Sequence, residues 1–368
     1  MIYVDNAATS WPKPPKVVAE MQRAVNIYGA NPGRSAHSMG KMAEQMVYNC
    51  RKAIASFFNA DPENVIFTQN ATHALNIAIL GSLKSGDHII ISDIEHNSVY
   101  RPVVASGCAY SILKTSDNDE LTLSSLNRLI RPETAIIVVT AAGNITGQRL
   151  PIRKIGEIAQ NKGILFIVDA SQAAGHFSID MERDNIDILC APGHKGLLGV
   201  QGSGVMVLKN KLPNPILFGG SGSMSVSPLM PNDPPERFEA GTINTPAISG
   251  LLRGVEYINS VGIEKIEKYE NRLARYLYDN LVNVRNIELI GAGPVGGLVA
   301  FNISGNGSEE AALKLSDMGI MVRGGLHCSP LAHKKYGTSD IGAVRVSFGC
   351  FNTEQQVEKI LQIIKKLI

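Results

Sequence analysis

Between about residues 60 and 210, short apolar runs rich in β-branched residues alternate with longer stretches whose apolar positions recur at helical spacing. That is the pattern of strands joined by crossover helices. The runs that read as strands are 65–68, 88–92, 109–113, 135–140, 164–168, 186–190 and 204–208. Several lack polar alternation, so both faces must be covered, which calls for a mostly parallel sheet between two helical layers. A helix over 152–162 is punctuated at both ends, by Pro151 in the first-turn position and by Gly163 where a left-handed residue closes it.

Periodicity fails between Asn210 and Asn244, where Pro213, Pro215, Gly219, Gly220, Gly222, Pro228, Pro231, Pro234 and Pro235 make a long loop. Loops of that length in compact domains tend to serve function. Two helices follow, 247–261 and 263–284, separated by Gly262. Beyond them strand and helix alternate again (299–303, 308–318, 343–347), and Thr353 with Gln356 has capping-box spacing for a last helix. The fold class expected is α/β, a three-layer αβα large domain over residues 15–255 with a smaller α+β domain built from residues 1–14 and 256–368.

Composition narrows the classes of function. With 368 residues, 44% hydrophobic and 18% charged, the chain can bury a large core. Lys and Arg (35) nearly balance Asp and Glu (33), and no basic block stands apart, which argues against a nucleic-acid partner. Cys50, Cys108, Cys190, Cys328 and Cys350 are odd in number and scattered, as reduced thiols in a cytosol are. No signal peptide is read at the amino terminus. No apolar run approaches the ~20 residues of a membrane helix, so a cytoplasmic protein without membrane contact is expected. The eight histidines show no metal-ligand spacing joined to cysteines, and no metal site is expected.

The strongest chemical signal is Val168-Asp169-Ala170-Ser171-Gln172 followed by Pro192-Gly193-His194-Lys195-Gly196. Both Asp169 and Lys195 lie just past strands, where ligands bind in open α/β sheets. A carboxylate there and a lysine in a Gly-bounded loop suit pyridoxal 5′-phosphate, whose aldehyde lysine holds as a Schiff base and whose ring nitrogen aspartate keeps protonated. A unit charge pair at 4 Å is worth about 4 kcal/mol at an effective dielectric of 20, roughly three pKa units. Singly, Asp169 reads as a helix cap and Lys195 as a solvated loop residue. In this order, each behind a strand, they favour the cofactor. Gln69-Asn70-Ala71-Thr72-His73-Ala74 opens a helix after strand 65–68, and its free N–H groups with the Thr72 hydroxyl can hold a phosphate.

These motifs form an ordered set with Tyr3-Val4-Asp5-Asn6-Ala7-Ala8-Thr9, Glu95-His96-Asn97, Asn144-Ile145-Thr146-Gly147, Arg237-Phe238-Glu239-Ala240-Gly241-Thr242, Arg323 to Cys328, and Arg345. Over nearly its whole length the chain resembles the fold-type I, class V aminotransferase-like pyridoxal-phosphate enzymes, and within them the cysteine desulfurases and selenocysteine lyases. The resemblance implies Lys195 as the cofactor lysine, Asp169 at the ring nitrogen, Gln172 at the phenolate oxygen and His96 stacked on the ring. It further implies Ala71, Thr72, His73 and His194 at the phosphate, and Asn144 at cofactor and substrate. Thr242 would reach the cofactor of a neighbouring subunit, which implies a homodimer. Arg345, with Arg323 as a second candidate, would grip the substrate carboxylate. The chain departs from the family at Pro192, where relatives commonly carry Ser or Thr.

Transamination needs no thiol, whereas removing sulfur from a β-carbon needs a soft nucleophile that can carry it as a persulfide. Cys328, in a loop whose glycines permit movement and whose Arg323 and His327 could favour thiolate, is the candidate; Cys190, near Lys195, is its rival. The function expected is release of sulfur or selenium from L-cysteine or L-selenocysteine to give L-alanine, with a sulfur or selenium acceptor protein as partner. The alternative is a class V aminotransferase acting on a small amino acid with a 2-oxo acid acceptor. The roles of Arg34 and His37 stay open.

Overall fold

A computed structural model describes residues 1–368 apart from Arg34, Ser35 and Asn210. The short strand β1 (Ile2–Tyr3) precedes helices α1 (Pro15–Asn26) and α2 (Ser38–Phe58). The alternating region then runs β2 (Val65–Thr68), α3 (Ala71–Leu80), β3 (His88–Ser92), α4 (Asn97–Ala105), β4 (Ala109–Leu113), α5 (Asp119–Leu129), β5 (Thr134–Thr140), α6 (Ile152–Asn161), β6 (Leu165–Asp169), β7 (Ile188–Pro192) and β8 (Gly204–Leu208). Helices α7 (Thr245–Val261) and α8 (Ile263–Leu281) lead to β9 (Ile287–Val295), β10 (Leu298–Ile303), α9 (Ser308–Asp317), β11 (Ile320–Met321), α10 (Pro330–Lys335), β12 (Val344–Ser347) and α11 (Glu354–Leu367).

Strands β2 to β8 form one sheet in the order β2-β8-β7-β6-β5-β3-β4, and only β8 runs against the other six. The absence of polar alternation has a direct cause: in every strand but the edge strand β4, which is largely exposed, successive residues enter opposite apolar clusters. Phe67, Ile90, Ile137, Val139, Phe166 and Val168 belong to one, Ile66, Ile89, Ile91, Ile136, Val138 and Ile167 to the other. A third cluster joins Ile2 and Val4 to Leu273, Leu277, Val299, Phe301, Val346 and Ile360, around the antiparallel sheet β12-β10-β9.

Strand β9 escaped the sequence pattern because Gly291, Gly293 and Pro294 interrupt it, and its pairing with β10 carries a register irregularity. Its backbone approaches the turn after β5 closely. A Cβ on Gly147 would meet the Val295 carbonyl oxygen at 1.9 Å, so this position admits only glycine. Gly163 adopts φ +66° as expected, while Pro151 is the N-cap of α6 rather than a first-turn residue. The capping box of Thr353 and Gln356 forms on α11.

Candidate functional site

Because six strands share a direction, the segments after β2, β3, β5, β6 and β7 all emerge at one edge of the sheet. They line a cavity of about 180 Å³ bounded by Ala71, Thr72, His96, Ser98, Asn144, Asp169, Gln172, Pro192, His194 and Lys195, among others. Eight residues singled out from the sequence for cofactor or catalysis therefore meet at one place. His73 does not line it: its Nδ1 accepts a hydrogen bond from the Gln69 N–H at 3.3 Å. Thr242 is exposed and lies outside it, beside Gly241 and Ile243 of a separate, larger cleft. His37 caps α2 through Nδ1, which accepts from the Gly40 N–H, and Arg34 lies outside the described residues.

Asp169 ends β6 in register with Thr140 on one side and Cys190 on the other. One of its oxygens accepts the Ser171 N–H at 2.9 Å in the turn that follows β6; no helix begins there, so Asp169 is not a helix cap, and this bond occupies only part of the carboxylate. Lys195 faces the same cavity. Burial pulls its amine down to about 8, against the attraction of Asp169, while Arg345 and Arg323 press in the same direction as burial. Its loop is fastened by the amino-terminal segment: Ser10 Oγ donates to the Lys195 carbonyl at 2.9 Å, and Lys13 Nζ to the His194 carbonyl at 2.8 Å. Nothing in the composition of residues 1–14 announced this clamp.

The imidazoles of the cavity are neutral. Burial, helped by Lys195, holds His194 down to about 4, and its Nδ1 is buried without a partner. Burial likewise holds His96 down to about 4. Glu95, beside it, is fully buried and pushed up to about 8 by burial, with Asp169 adding to the shift. Its Oε1 accepts the Thr140 N–H at 2.8 Å. Burial thus favours the protonated form of Glu95 at neutral pH. Gln172 donates to the Ala7 carbonyl at 3.0 Å.

Arg345, 1% exposed, donates to Asp5 Oδ1 at 2.9 Å and to the Asn144 carbonyl at 2.8 Å. Both ends of its fork are thus engaged, and only Nε is buried without a partner. Arg323 pairs with it along the backbone.

Cys328 is exposed, whereas Cys190 is completely buried in β7 and its thiol is raised well above the usual range by burial. That removes the rival. The Cys328 loop differs from expectation in two respects. Its glycines serve close packing: a Cβ on Gly324 would meet the Ser308 carbonyl oxygen at 2.4 Å. The loop is also tied down, since Asn144 Nδ2 donates to the His327 carbonyl (2.9 Å), the Asn97 N–H to the Cys328 carbonyl (2.7 Å) and Ser329 Oγ to Asn144 Oδ1 (2.7 Å). Moreover, burial and the two arginines hold His327 far below the usual imidazole range, so it supplies no charge to a thiolate. Among the described residues, no group of His, Cys, Asp and Glu has the arrangement of a metal site.

A model of the aminotransferase class-V family matches residues 2–360. The chain belongs to the class-V aminotransferase family. Its relatives include a probable cysteine desulfurase of Pyrococcus abyssi, 32% identical and covering 100% of this chain and 94% of the relative. A second, from Methanothermobacter thermautotrophicus, is 30% identical with the same coverage of both. Among solved structures, an apo cysteine desulfurase from Thermococcus onnurineus NA1 superposes with TM-score 0.91 at 31% identity, covering 100% of this chain and 94% of that one. The Escherichia coli cysteine desulfurase CsdA in S-sulfonic acid form superposes with TM-score 0.87 at 25% identity, covering 99% and 94%. The fold is thus the fold-type I architecture that the motifs implied. No described helix of this class-V family member is long and apolar enough to cross a membrane.

Behind the Lys195 loop, His176 and Glu270 form a buried pair at 2.7 Å, joining the segment after β6 to α8. A Cβ on Gly196 would meet His176 Nε2 at 2.7 Å, so this pair backs the loop directly. Glu270→Ala should destabilise the protein by about 3 kcal/mol, as removal of one partner of a buried pair does. Burial alone would lower His176, but Glu270 outweighs it and raises the imidazole. A raised folded value means that the pair's stabilisation is complete below about pH 6.5 and is lost as pH rises through the folded value. Thermal melts of wild type and Glu270→Ala should therefore differ most near pH 6 and converge toward pH 9.

Proposed function

We propose that this chain is a pyridoxal 5′-phosphate-dependent cysteine desulfurase, able also to act on L-selenocysteine. The observation that carries the reading is the meeting of Lys195, Asp169 and Thr72 in one cavity, with an exposed Cys328 on the loop hydrogen-bonded to its wall. The cavity suits the cofactor: it offers a lysine amine lowered to about 8, a buried carboxylate, the amino end of α3 and an unpartnered buried His194 Nδ1. Lys195 would hold the aldehyde, Asp169 the ring nitrogen, Gln172 the phenolate oxygen, and Ala71, Thr72 and His194 the phosphate. His96 would lie against the ring. When bound, the cofactor supplies an electron sink for carbanion character at the substrate's Cα and Cβ.

The chain's own residues account for the remainder. Lys195 Nζ would take the proton from the substrate Cα and later return one. Arg345 and Arg323 supply the positive field for the substrate carboxylate. Cys328 Sγ attacks the substrate sulfur: an S–S bond forms, the Cβ–Sγ bond breaks, and a hydrogen replaces sulfur on Cβ. The products are a Cys328 persulfide and L-alanine, and no 2-oxo acid is consumed. An acceptor thiol of a partner protein then clears the persulfide.

Purified protein given pyridoxal phosphate and a reducing thiol should release alanine from L-cysteine without added 2-oxo acid. A strict requirement for a 2-oxo acid would instead establish an aminotransferase. Running L-selenocysteine in parallel ranks the two substrates.

The assembly proposed is a homodimer in which Thr242 serves the neighbour's cavity, with residues 15–255 as the large domain. Support comes from the exposure of Thr242 beside the larger cleft and from exposed Leu217, Phe218, Met224 and Val226 in the loop before it. The native mass in solution should be twice the 39.6 kDa of one chain. A monomer would overturn the shared-site reading.

A further inference from the structure

We propose that Ser98, through a hydroxyl pair with Thr72, holds the phosphate group of the cofactor, a role the sequence motifs did not assign to it; the inference rests on the pyridoxal-phosphate reading above. Pro192 lines the cavity and contributes neither an N–H nor a hydroxyl. Ser98 lines the same cavity, is 8% exposed, and lies in the first turn of α4. Its Oγ lies 2.7 Å from Thr72 Oγ1 and 2.8 Å from His96 Nδ1.

The hydrogens of this chain can be counted. His96 Nδ1 accepts the Ser98 backbone N–H at 3.1 Å, which makes it the unprotonated nitrogen of a neutral ring and puts the ring hydrogen on Nε2. Two hydroxyl hydrogens serve two contacts, Ser98 Oγ to His96 Nδ1 and Thr72 Oγ1 to Ser98 Oγ. Because Nδ1 also holds the Ser98 backbone N–H, an anion in the cavity can turn both hydroxyls toward itself without leaving Nδ1 unpartnered. With the Ser98 O–H turned to Thr72 Oγ1, the Thr72 O–H points to the anion, and each bond in the row polarises the next.

The row therefore delivers a charge-assisted hydrogen bond, the stronger kind, where position 192 offers none. It also fixes the plane of His96, because Nδ1 stays tied to the first turn of α4 while Nε2–H stays free. Thr72 reached this place visibly in the sequence. Ser98 did not, since a serine two residues after a histidine is an ordinary helix-start residue.

The test uses cofactor-free protein titrated with pyridoxal 5′-phosphate and, separately, with pyridoxal, following absorbance. Ser98→Ala, which leaves the Thr72 hydroxyl without the donor that turns it to the anion, should weaken pyridoxal phosphate binding about fivefold, the scale of one lost neutral hydrogen bond, and leave pyridoxal binding within about twofold. Ser98→Thr, which keeps the hydroxyl, should bind pyridoxal phosphate as wild type does. Equal loss for both ligands, or no loss for either, would overturn the proposal. Wild-type protein that binds neither ligand would instead bring down the cofactor reading itself.

Discussion

Replacing Cys328 by alanine should reduce alanine release from L-cysteine by about 10³-fold or more, the scale on which loss of one member of a catalytic set acts. Binding should survive. The side chain lies outside the set that lines the cavity, and the loop is anchored by the backbone carbonyls of His327 and Cys328, which alanine keeps. The variant should therefore take up pyridoxal phosphate normally and still show a spectral change on adding L-cysteine. Alkylation of wild-type protein after one turnover should trap an extra sulfur on Cys328, and none on the variant. The buried Cys190 and Cys50 cannot substitute, since burial raises both thiols. Undiminished turnover of cysteine by the variant would remove the persulfide route altogether.

Lys195→Ala should be at least as severe, about 10⁴-fold or more in turnover, with a different signature. It removes both the proposed covalent anchor and the proposed proton carrier, so borohydride treatment should no longer fix pyridoxal phosphate to the chain. In the wild type, a lysine lowered to about 8 has its neutral, nucleophilic amine above that value and loses it below. Capture of pyridoxal phosphate should therefore quicken from pH 7 to pH 9. A capture rate that still climbs tenfold per pH unit above pH 9 would show that burial, with Arg345 and Arg323, does not lower the lysine.

The large sheet was legible because all its strands but the edge strand β4 are buried on both faces, leaving uninterrupted apolar runs. Strand ends moved by a residue or two: the run beginning at Ile186 starts pairing at Ile188 and continues into Pro192. Lys195 and Asp169 were legible because strand ends are where such sheets bind ligands, and that rule needs no long-range information. What escaped depends on distance in sequence. Ser98 meets Thr72 across 26 positions and Asn144 meets His327 across 183, and no local spacing encodes either contact. The same holds for Ser10 and Lys13, whose hydroxyl and ammonium act on backbone carbonyls, which every residue possesses. His327 was misjudged for an electrostatic reason: proximity to cysteine suggested a cation, and burial makes it neutral.

His327 and Cys328 both adopt positive φ, +50° and +56°, where non-glycine residues are uncommon and costly. Two neighbours kept in that conformation by anchored carbonyls give the sulfur a fixed address. In the proposed reaction the persulfide would have no long tether on which to travel toward a distant recipient, so an acceptor would have to bring its own thiol to the protein surface.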